Sequence, residues 1–110
     1  MNGEEIPRRG QVWWVRVDKR RPAIVVQTDD VRDPRVRSFL VVPLTSRLRL
    51  ADLPGNLRLA KSATGLPKPS VANVWDVQKV LRSDFLDRAG ALDRPDQARL
   101  DDGLRLALGL

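Results

Sequence analysis

Short segments rich in β-branched and aromatic residues, separated by polar turns, fill much of the first half of this 110-residue chain. QVWWVRV (11–17), AIVVQ (23–27) and SFLVVPLT (38–45) predict three strands, with the polar DKRR as a tight basic turn between the first two. Pro43 removes a backbone donor, so the third strand should bulge or lie at an edge there. NLRLA (56–60) predicts one further short strand within a loop region rich in Pro and Gly.

The later part of the chain predicts one more strand and a terminal helix. SVANVWDVQKV (70–80) alternates as a strand partly buried on both faces, with Asn73 as its exceptional polar member. Asp93, followed closely by Pro95, predicts a helix N-terminus after the Gly-containing turn of DRAGALDRPD. The helix should run for about four turns. Its apolar residues recur at helical spacing, at Leu100, Leu104, Ala107 and Leu108.

Several short strands followed by one helix predict an α+β fold. We expect a small SH3-like β-barrel whose open side is covered by the C-terminal α-helix. The length predicts a single domain over residues 1–110, because two cores of ordinary size would not fit.

The residue types that are absent limit the possible chemistry. The sequence has no Cys, His or Tyr, which excludes disulfides, thiol nucleophiles, cysteine zinc sites and the usual general base. Any catalysis must therefore use Arg, Lys, Asp, Glu, Ser or Thr. Lys and Arg total 20 and Asp and Glu total 14, a net charge of +6, and most of the cations are Arg. This balance favours a polyanionic partner, since guanidinium groups bind phosphate bidentately.

The first residues, MNGEEIPRRG, lack the apolar run of a signal peptide. No later stretch reaches the roughly 18 apolar residues of a membrane span. We therefore expect a cytoplasmic protein that does not interact with membranes.

Two short motifs are candidate site residues. Arg21 follows two other cations and precedes Pro22, which holds its backbone extended, so a positioned guanidinium at a phosphate and a merely solvated turn are both open. Thr45 and Ser46 end the VVPLTS segment, where they either face a cleft or cap local backbone.

Two adjacent Trp residues in the first strand must point to opposite faces of it. At least one of Trp13 and Trp14 should belong to the core, and the other is then available to stack on a nucleobase. Asp76 either pairs with a site arginine or lies in solvent.

The ordered blocks RRGQVWWVRVD, RRPAIVVQ, FLVVPLTS, SVANVWDVQKV and LRLALGL resemble the MazF/PemK (Kid) family of toxin endoribonucleases. The resemblance spans nearly the whole chain. It implies an SH3-like barrel with a C-terminal helix, a homodimer, and a cognate antitoxin whose acidic C-terminal tail covers the basic cleft. It also implies sequence-specific cleavage of single-stranded RNA without a metal or other cofactor, leaving 2′,3′-cyclic phosphate and 5′-hydroxyl ends.

Carried over by position, the resemblance assigns catalysis to Arg21 at the scissile phosphate and to Thr45 as a hydrogen-bond donor. RNA-binding positions predicted beside them are Asp18, Lys19, Arg20, Ser46, Arg47, Asn73, Asp76, Gln78 and Lys79.

The chain departs from the family pattern in two places. The first loop, which in many members carries a glutamate sometimes proposed as the general base, is reduced here to Asp18-Lys19-Arg20. Either Asp18 substitutes for it, or Arg21 and positioning alone carry a slow reaction. In the late strand many members have an acidic residue, then Gln and, two positions on, Arg. The corresponding stretch here is Trp75-Asp76-Val77-Gln78, which predicts a different base selection.

Two other functions remain possible on the sequence. A gyrase-poisoning toxin of the CcdB type shares the barrel, but its Trp-Gly-Ile end is replaced here by Leu108-Gly109-Leu110. A nucleic-acid-binding barrel without catalysis would explain the missing loop acid.

Overall fold

A curled antiparallel sheet and a C-terminal helix form the protein, in a computed structural model that describes residues 5–110. The strands are β1 (Gln11–Val17), β2 (Lys19–Val25), β3 (Ser38–Thr45), β4 (Leu57–Leu59), β5 (Ser70–Ala72), β6 (Gln78–Leu81) and β7 (Phe85–Ala91). The helices are α1 (Lys61–Thr64) and α2 (Arg94–Leu108), and 3₁₀ turns lie at Leu48–Asp52 and Arg82–Asp84. The strand order is β4-β5-β3-β2-β1-β7, with β6 paired to β3. This arrangement confirms the predicted α+β architecture of a curled sheet with a terminal helix.

The connection between β1 and β2 is shorter than the predicted DKRR turn. Val17 lies opposite Lys19, so Asp18 alone joins the two strands, with a φ of 65°. Asp tolerates this left-handed conformation better than most residues. The prediction that β2 begins after Pro22 is wrong, because pairing with β1 extends the strand back through Arg21.

Pro43 lies inside β3 without the bulge or edge position predicted for it. One side of β3 pairs with β2, where Pro43 faces Ala23. On the other side β6 pairs with residues 38–41 and β5 with residues 44–45, so Pro43 falls between the two partner strands. The missing N–H of the proline therefore interrupts no ladder.

The single strand predicted over residues 70–80 is divided in the structure. β5 ends at Ala72, a turn follows in which the Asp76 N–H donates to the Asn73 carbonyl at 3.2 Å, and β6 begins at Gln78. The Asn73 N–H donates to the Pro43 carbonyl at 3.1 Å, which closes the gap in β3 pairing. The alternating pattern does not reveal this turn, because its side chains keep a strand-like hydropathy.

β7 was not predicted from the sequence, and its sequence FLDRAGA is too polar and too poor in β-branched residues to indicate a strand. Pairing with β1 forms it, with two register shifts. Gly90 lies within this strand and not in a turn before the helix, so that interpretation of DRAGALDRPD is corrected. A side chain on Gly90 would collide with the Thr64 backbone carbonyl, so glycine is needed for the close approach of α1.

The C-terminal helix α2 begins where the sequence predicts. The carboxylate of Asp93 caps it by accepting from the Asp96 N–H at 2.9 Å, with Pro95 in the first turn. Gly103 approaches the Gly55 backbone so closely that any side chain there would meet the Gly55 carbonyl oxygen. No helix within residues 5–110 is long and apolar enough to cross a membrane.

Two apolar clusters pack on opposite faces of the sheet. Val12 and Ile24 belong to the cluster beneath α2, which includes Leu100. Trp13 and Phe85 belong to the second cluster, with their rings in an edge-to-face contact at 5.7 Å between centroids. Consecutive strand residues point to opposite faces, so Val12 and Trp13 separate into different cores. The prediction that one of the adjacent tryptophans is core is confirmed by Trp13, which is 0% exposed.

An ion pair joins the segment before β1 to the helix α2. The Arg9 guanidinium donates to Asp101 at 2.7 Å, and its Nε donates to the Val26 carbonyl. Partial burial acts to raise the pKa of the Asp101 carboxyl, but hydrogen bonds from Arg9 and Gln97 outweigh it and hold this pKa below its usual value. The segment before β1 therefore has a fixed position on the helix.

Candidate functional site

A groove of about 490 Å³ opens where β2 begins and β3 ends. It is lined by Trp14, Arg20, Arg21, Pro22, Pro43, Leu44, Thr45, Ser46, Arg47, Leu50, Leu66, Pro67, Lys68, Ser70, Asn73 and Asp76. Four of these side chains are cationic and one is a carboxylate. The groove is therefore a basic concave surface suited to a phosphate backbone.

Arg21 and Thr45, predicted as the catalytic pair, both line this groove. Arg21 is exposed, and its guanidinium forms no ion pair with any of residues 5–110, so it is available to an anion. The Thr45 oxygen accepts from the Arg47 N–H at 3.2 Å, which is the local capping contact that was the alternative interpretation. Its hydroxyl proton can still be donated, since a hydroxyl both accepts and donates.

Trp14 forms part of the groove wall, on the face of β1 opposite Trp13. The Arg20 guanidinium lies over its ring, 4.6 Å from the centroid, and lies 3.7 Å from an Asp87 carboxylate oxygen. A cation held over an indole face is a favourable contact. One cation of the basic run at the start of β2, Arg20, is thus positioned by its contact with Trp14 in the groove.

The turn between β5 and β6 reaches the groove through Asn73 and Asp76. The Asn73 side-chain oxygen accepts from the Trp75 N–H at 3.2 Å and from the Asn56 amide at 3.3 Å. Asn56 in turn accepts from the Val74 N–H at 2.9 Å. Asn73 is therefore a polar residue with satisfied hydrogen bonds that shapes the turn, which explains its position among apolar neighbours.

Most of the predicted RNA-binding residues come together at two adjoining cavities. Arg20, Ser46, Arg47, Asn73 and Asp76 line the groove. Asp18 and Gln78 line a smaller cavity of about 240 Å³, which shares Arg21, Pro22, Pro43 and Asp76 with the groove. Lys19 and Lys79 are exposed strand residues that line neither cavity.

Several residues of the site were not found from the sequence. Lys68 and Ser70 line the groove, and Asn56 holds the turn beneath it. The run of cations and the strand ends drew attention to β2 and β3, but nothing in residues 53–70 indicates that this loop region folds back to the same place. No group of three or more His, Cys, Asp or Glu within residues 5–110 is arranged to hold a metal ion.

Residues 8–108 match the model of the PemK-like, MazF-like toxins of type II toxin-antitoxin systems. Curated relatives include endoribonuclease MazF2 of Mycobacterium bovis and endoribonuclease MazF6 of Mycobacterium tuberculosis. Each is 32% identical over 110 aligned residues, covering 93% of this chain and 96% of the relative. The chain belongs to this toxin family, and the resemblance found in the sequence is confirmed.

Solved structures share the fold. Mycobacterium tuberculosis toxin MazF-mt6 superposes with a TM-score of 0.79 at 24% identity, covering 91% of this chain and 97% of that one. MazF in a MazE-MazF complex from Deinococcus radiodurans gives 0.78 at 20% identity, covering 97% and 99%. A mycobacterial endoribonuclease in complex with its cognate antitoxin gives 0.77 at 22%, covering 100% and 97%. These similarities establish the curled sheet with its terminal helix as the MazF-type fold.

Proposed function

We propose that this chain, an endoribonuclease toxin of the MazF type, cuts single-stranded RNA at selected short sequences and leaves 2′,3′-cyclic phosphate and 5′-hydroxyl ends. One observation carries the proposal: Arg21 and Thr45, at the beginning of β2 and the end of β3, line the same basic groove. The curated relatives named endoribonucleases support it. The reaction needs neither His nor Cys, and the chain has neither.

In this reaction the ribose 2′-oxygen attacks the adjacent phosphorus, an O2′–P bond forms and the P–O5′ bond breaks. Negative charge grows on the non-bridging oxygens of the phosphoryl group as the transition state forms. The Arg21 guanidinium stabilises that charge, and the Thr45 hydroxyl donates a further hydrogen bond to it. Because Arg21 and Thr45 lie on paired strands, the backbone from which each side chain extends is set before the RNA binds.

The walls of the groove supply the contacts that select bases. Trp14 offers an aromatic face, which a nucleobase can occupy when Arg20 moves aside. Ser46 and Asn73 offer hydrogen bonds within the groove, and Gln78 does so in the adjoining cavity. We propose that these side chains read unpaired bases, which expose their hydrogen-bonding edges only in single-stranded RNA.

The function is tested by incubating the purified protein with RNA in EDTA and identifying the new ends by chemistry and sequencing. New 5′-hydroxyl ends at a recurring short motif are the expected result. RNA that is bound but uncut would favour a nucleic-acid-binding barrel without catalysis. Uncut and unbound RNA, together with trapped gyrase–DNA complexes, would favour a CcdB-type poison.

Replacing Thr45 with alanine should lower RNA cleavage by about tenfold to a hundredfold, because one pre-positioned donor to the phosphoryl oxygens is lost. Thr45→Ser, which retains the hydroxyl, should keep most of the activity. Single-turnover cleavage of a short RNA measures both variants. Equal activity in the alanine variant and the parent would remove Thr45 from the site.

The antitoxin of this toxin is proposed to cover the groove with an acidic C-terminal tail. The groove's four cations, Arg20, Arg21, Arg47 and Lys68, face a single carboxylate, which favours a negatively charged segment. The solved relatives bound to MazE or to a cognate antitoxin support this pairing. We place the toxin, its antitoxin and its RNA substrates in the cytoplasm.

A homodimer is proposed at the surface near the start of β3, whereas the groove lies at the end of that strand. There an apolar cavity of about 940 Å³ includes the exposed side chains of Ile6, Val31, Val36 and Leu81. Exposed apolar patches of this kind mark association surfaces. Sedimentation should give a dimer for the parent and a monomer for Leu81→Asp, since burying a charged group in place of an apolar one at the interface costs desolvation energy. A Leu81→Asp variant that still sediments as a dimer would place the interface elsewhere.

A further inference from the structure

Attack by the 2′-hydroxyl requires a group that accepts its proton, and the chain lacks the usual candidates. There is no His, and the connection between β1 and β2 offers only Asp18. Lys and Arg side chains carry a proton at neutral pH, so a carboxylate within reach of the 2′-oxygen is the better candidate for the base. The location of carboxylates around the groove therefore decides which residue can act.

Asp76 is the one carboxylate that lines the groove with Arg21 and Thr45. It also lines the adjoining cavity, and Asp76 and Arg21 are the two charged side chains that belong to both. They share these cavities without forming an ion pair, since no carboxylate of residues 5–110 lies within 4.0 Å of the Arg21 guanidinium nitrogens. Neither charged group is therefore neutralised by the other before a phosphodiester enters the groove.

The turn that carries Asp76 is stabilised by hydrogen bonds to the loop before β4. Besides the contacts of Asn73 and Asn56, the Trp75 indole N–H donates to the Pro54 carbonyl at 2.8 Å. The Asp76 N–H closes the turn onto the Asn73 carbonyl. A base acts efficiently only when its position is fixed before the substrate arrives, and this turn meets that condition.

The carboxylate itself is oriented by one neighbour. Gln78 donates its side-chain amide to Oδ2 of Asp76 at 2.8 Å. No hydrogen bond within residues 5–110 engages Oδ1, which leaves that oxygen available to an incoming hydroxyl. The charged groups that share the two cavities with it are Arg20, Arg21, Arg47, Lys68 and Asp18.

Asp18 is the weaker candidate on geometry. It lies at the tip of the β1–β2 connection and lines only the smaller cavity, whereas Thr45 lines only the groove. Of these two carboxylates, only Asp76 lines a cavity together with both predicted catalytic residues.

We propose that Asp76 is the general base of the reaction, an assignment that depends on the proposed endoribonuclease function. Oδ1 of Asp76 accepts the 2′-hydroxyl proton as the O2′–P bond forms. The P–O5′ bond then breaks, and the 5′-oxygen leaves as a hydroxyl after taking a proton from solvent water. Arg21 stabilises the phosphoryl charge throughout, and Asp76 returns its proton to solvent.

The test is the Asp76→Asn variant, which is close in shape and can still accept the Gln78 hydrogen bond but cannot accept a proton. Its kcat should fall by about a hundredfold. Its affinity for an uncleavable RNA with a 2′-deoxy nucleotide at the scissile position should be equal to or tighter than the parent's, because a negative charge has left a basic groove. A merely structural role would instead weaken binding together with the rate.

The matched control is Asp102→Asn, an exposed change of the same kind on α2, which should keep the parent's rate. Thermal unfolding checks that all variants fold.

The outcomes separate the two proposals. Asp76→Asn cutting RNA at the parent's rate overturns the assignment of Asp76 alone, and a loss of rate in Asp18→Asn but not in Asp76→Asn would place the base at Asp18. A parent protein that leaves RNA intact overturns the endoribonuclease proposal and this assignment with it.

Discussion

Replacing Arg21 with alanine is expected to lower RNA cleavage by about a hundredfold to a thousandfold, the loss typical of a pre-positioned donor to a developing oxyanion. The guanidinium lines both cavities, is exposed, and has no ion-pair partner within residues 5–110 that would compete with a phosphate. Its charge makes its loss costlier than the loss of the neutral Thr45 donor. Single-turnover cleavage of a short RNA containing the mapped motif measures the effect.

The controls separate chemistry from charge and folding. Arg58→Ala removes an exposed strand arginine outside both cavities, so it should cut RNA at close to the parent's rate. Arg21→Lys keeps the charge but not the planar fork, so its activity should stay well below the parent's. An Arg21→Ala variant that folds and cuts at the parent's rate would show that the reaction takes place elsewhere.

Replacing Trp13 with alanine should lower the free energy of unfolding by about 3–5 kcal/mol, the range for a large aromatic side chain removed from a core. Trp13 is 0% exposed and packs edge-to-face on Phe85, which in turn contacts Phe39. Its removal leaves a cavity between β1, β7 and β3 that their paired backbones cannot close. Urea denaturation followed by circular dichroism measures the change.

Trp75→Ala is the matched control for this prediction. Trp75 is 52% exposed, and its side chain makes one hydrogen bond, from the indole N–H to the Pro54 carbonyl. Its loss should cost no more than about 1.5 kcal/mol, the range for a single hydrogen bond. Equal destabilisation by the two changes would contradict the assignment of Trp13 to the core.

The elements predicted correctly are those with local signals. The α2 N-terminus follows from Asp93 and Pro95, whose effects reach only one turn. β1 and β3 follow from dense β-branched and aromatic residues. β7 has no such signal and forms because β1 needs a partner on its second edge, so tertiary pairing decides it.

The division of residues 70–80 also depends on distant contacts. Asn56, about seventeen positions earlier, bonds to both Asn73 and the Val74 N–H and so stabilises a turn where the local pattern continues a strand. The same turn brings Asp76 to the groove. The family resemblance therefore predicted Arg21 and Thr45 as catalytic and Asp76 as RNA-binding, while the role of base that we propose for Asp76 required the three-dimensional arrangement.

We expect RNA to be cut where β2 begins and β3 ends. A crystal structure of the protein with a short RNA that contains the mapped motif and a 2′-deoxy nucleotide at the scissile position would test this location. The scissile phosphate should lie within hydrogen-bond distance of both the Arg21 guanidinium and the Thr45 hydroxyl. A scissile phosphate bound outside this groove, with Arg21 and Thr45 in solvent, would contradict it.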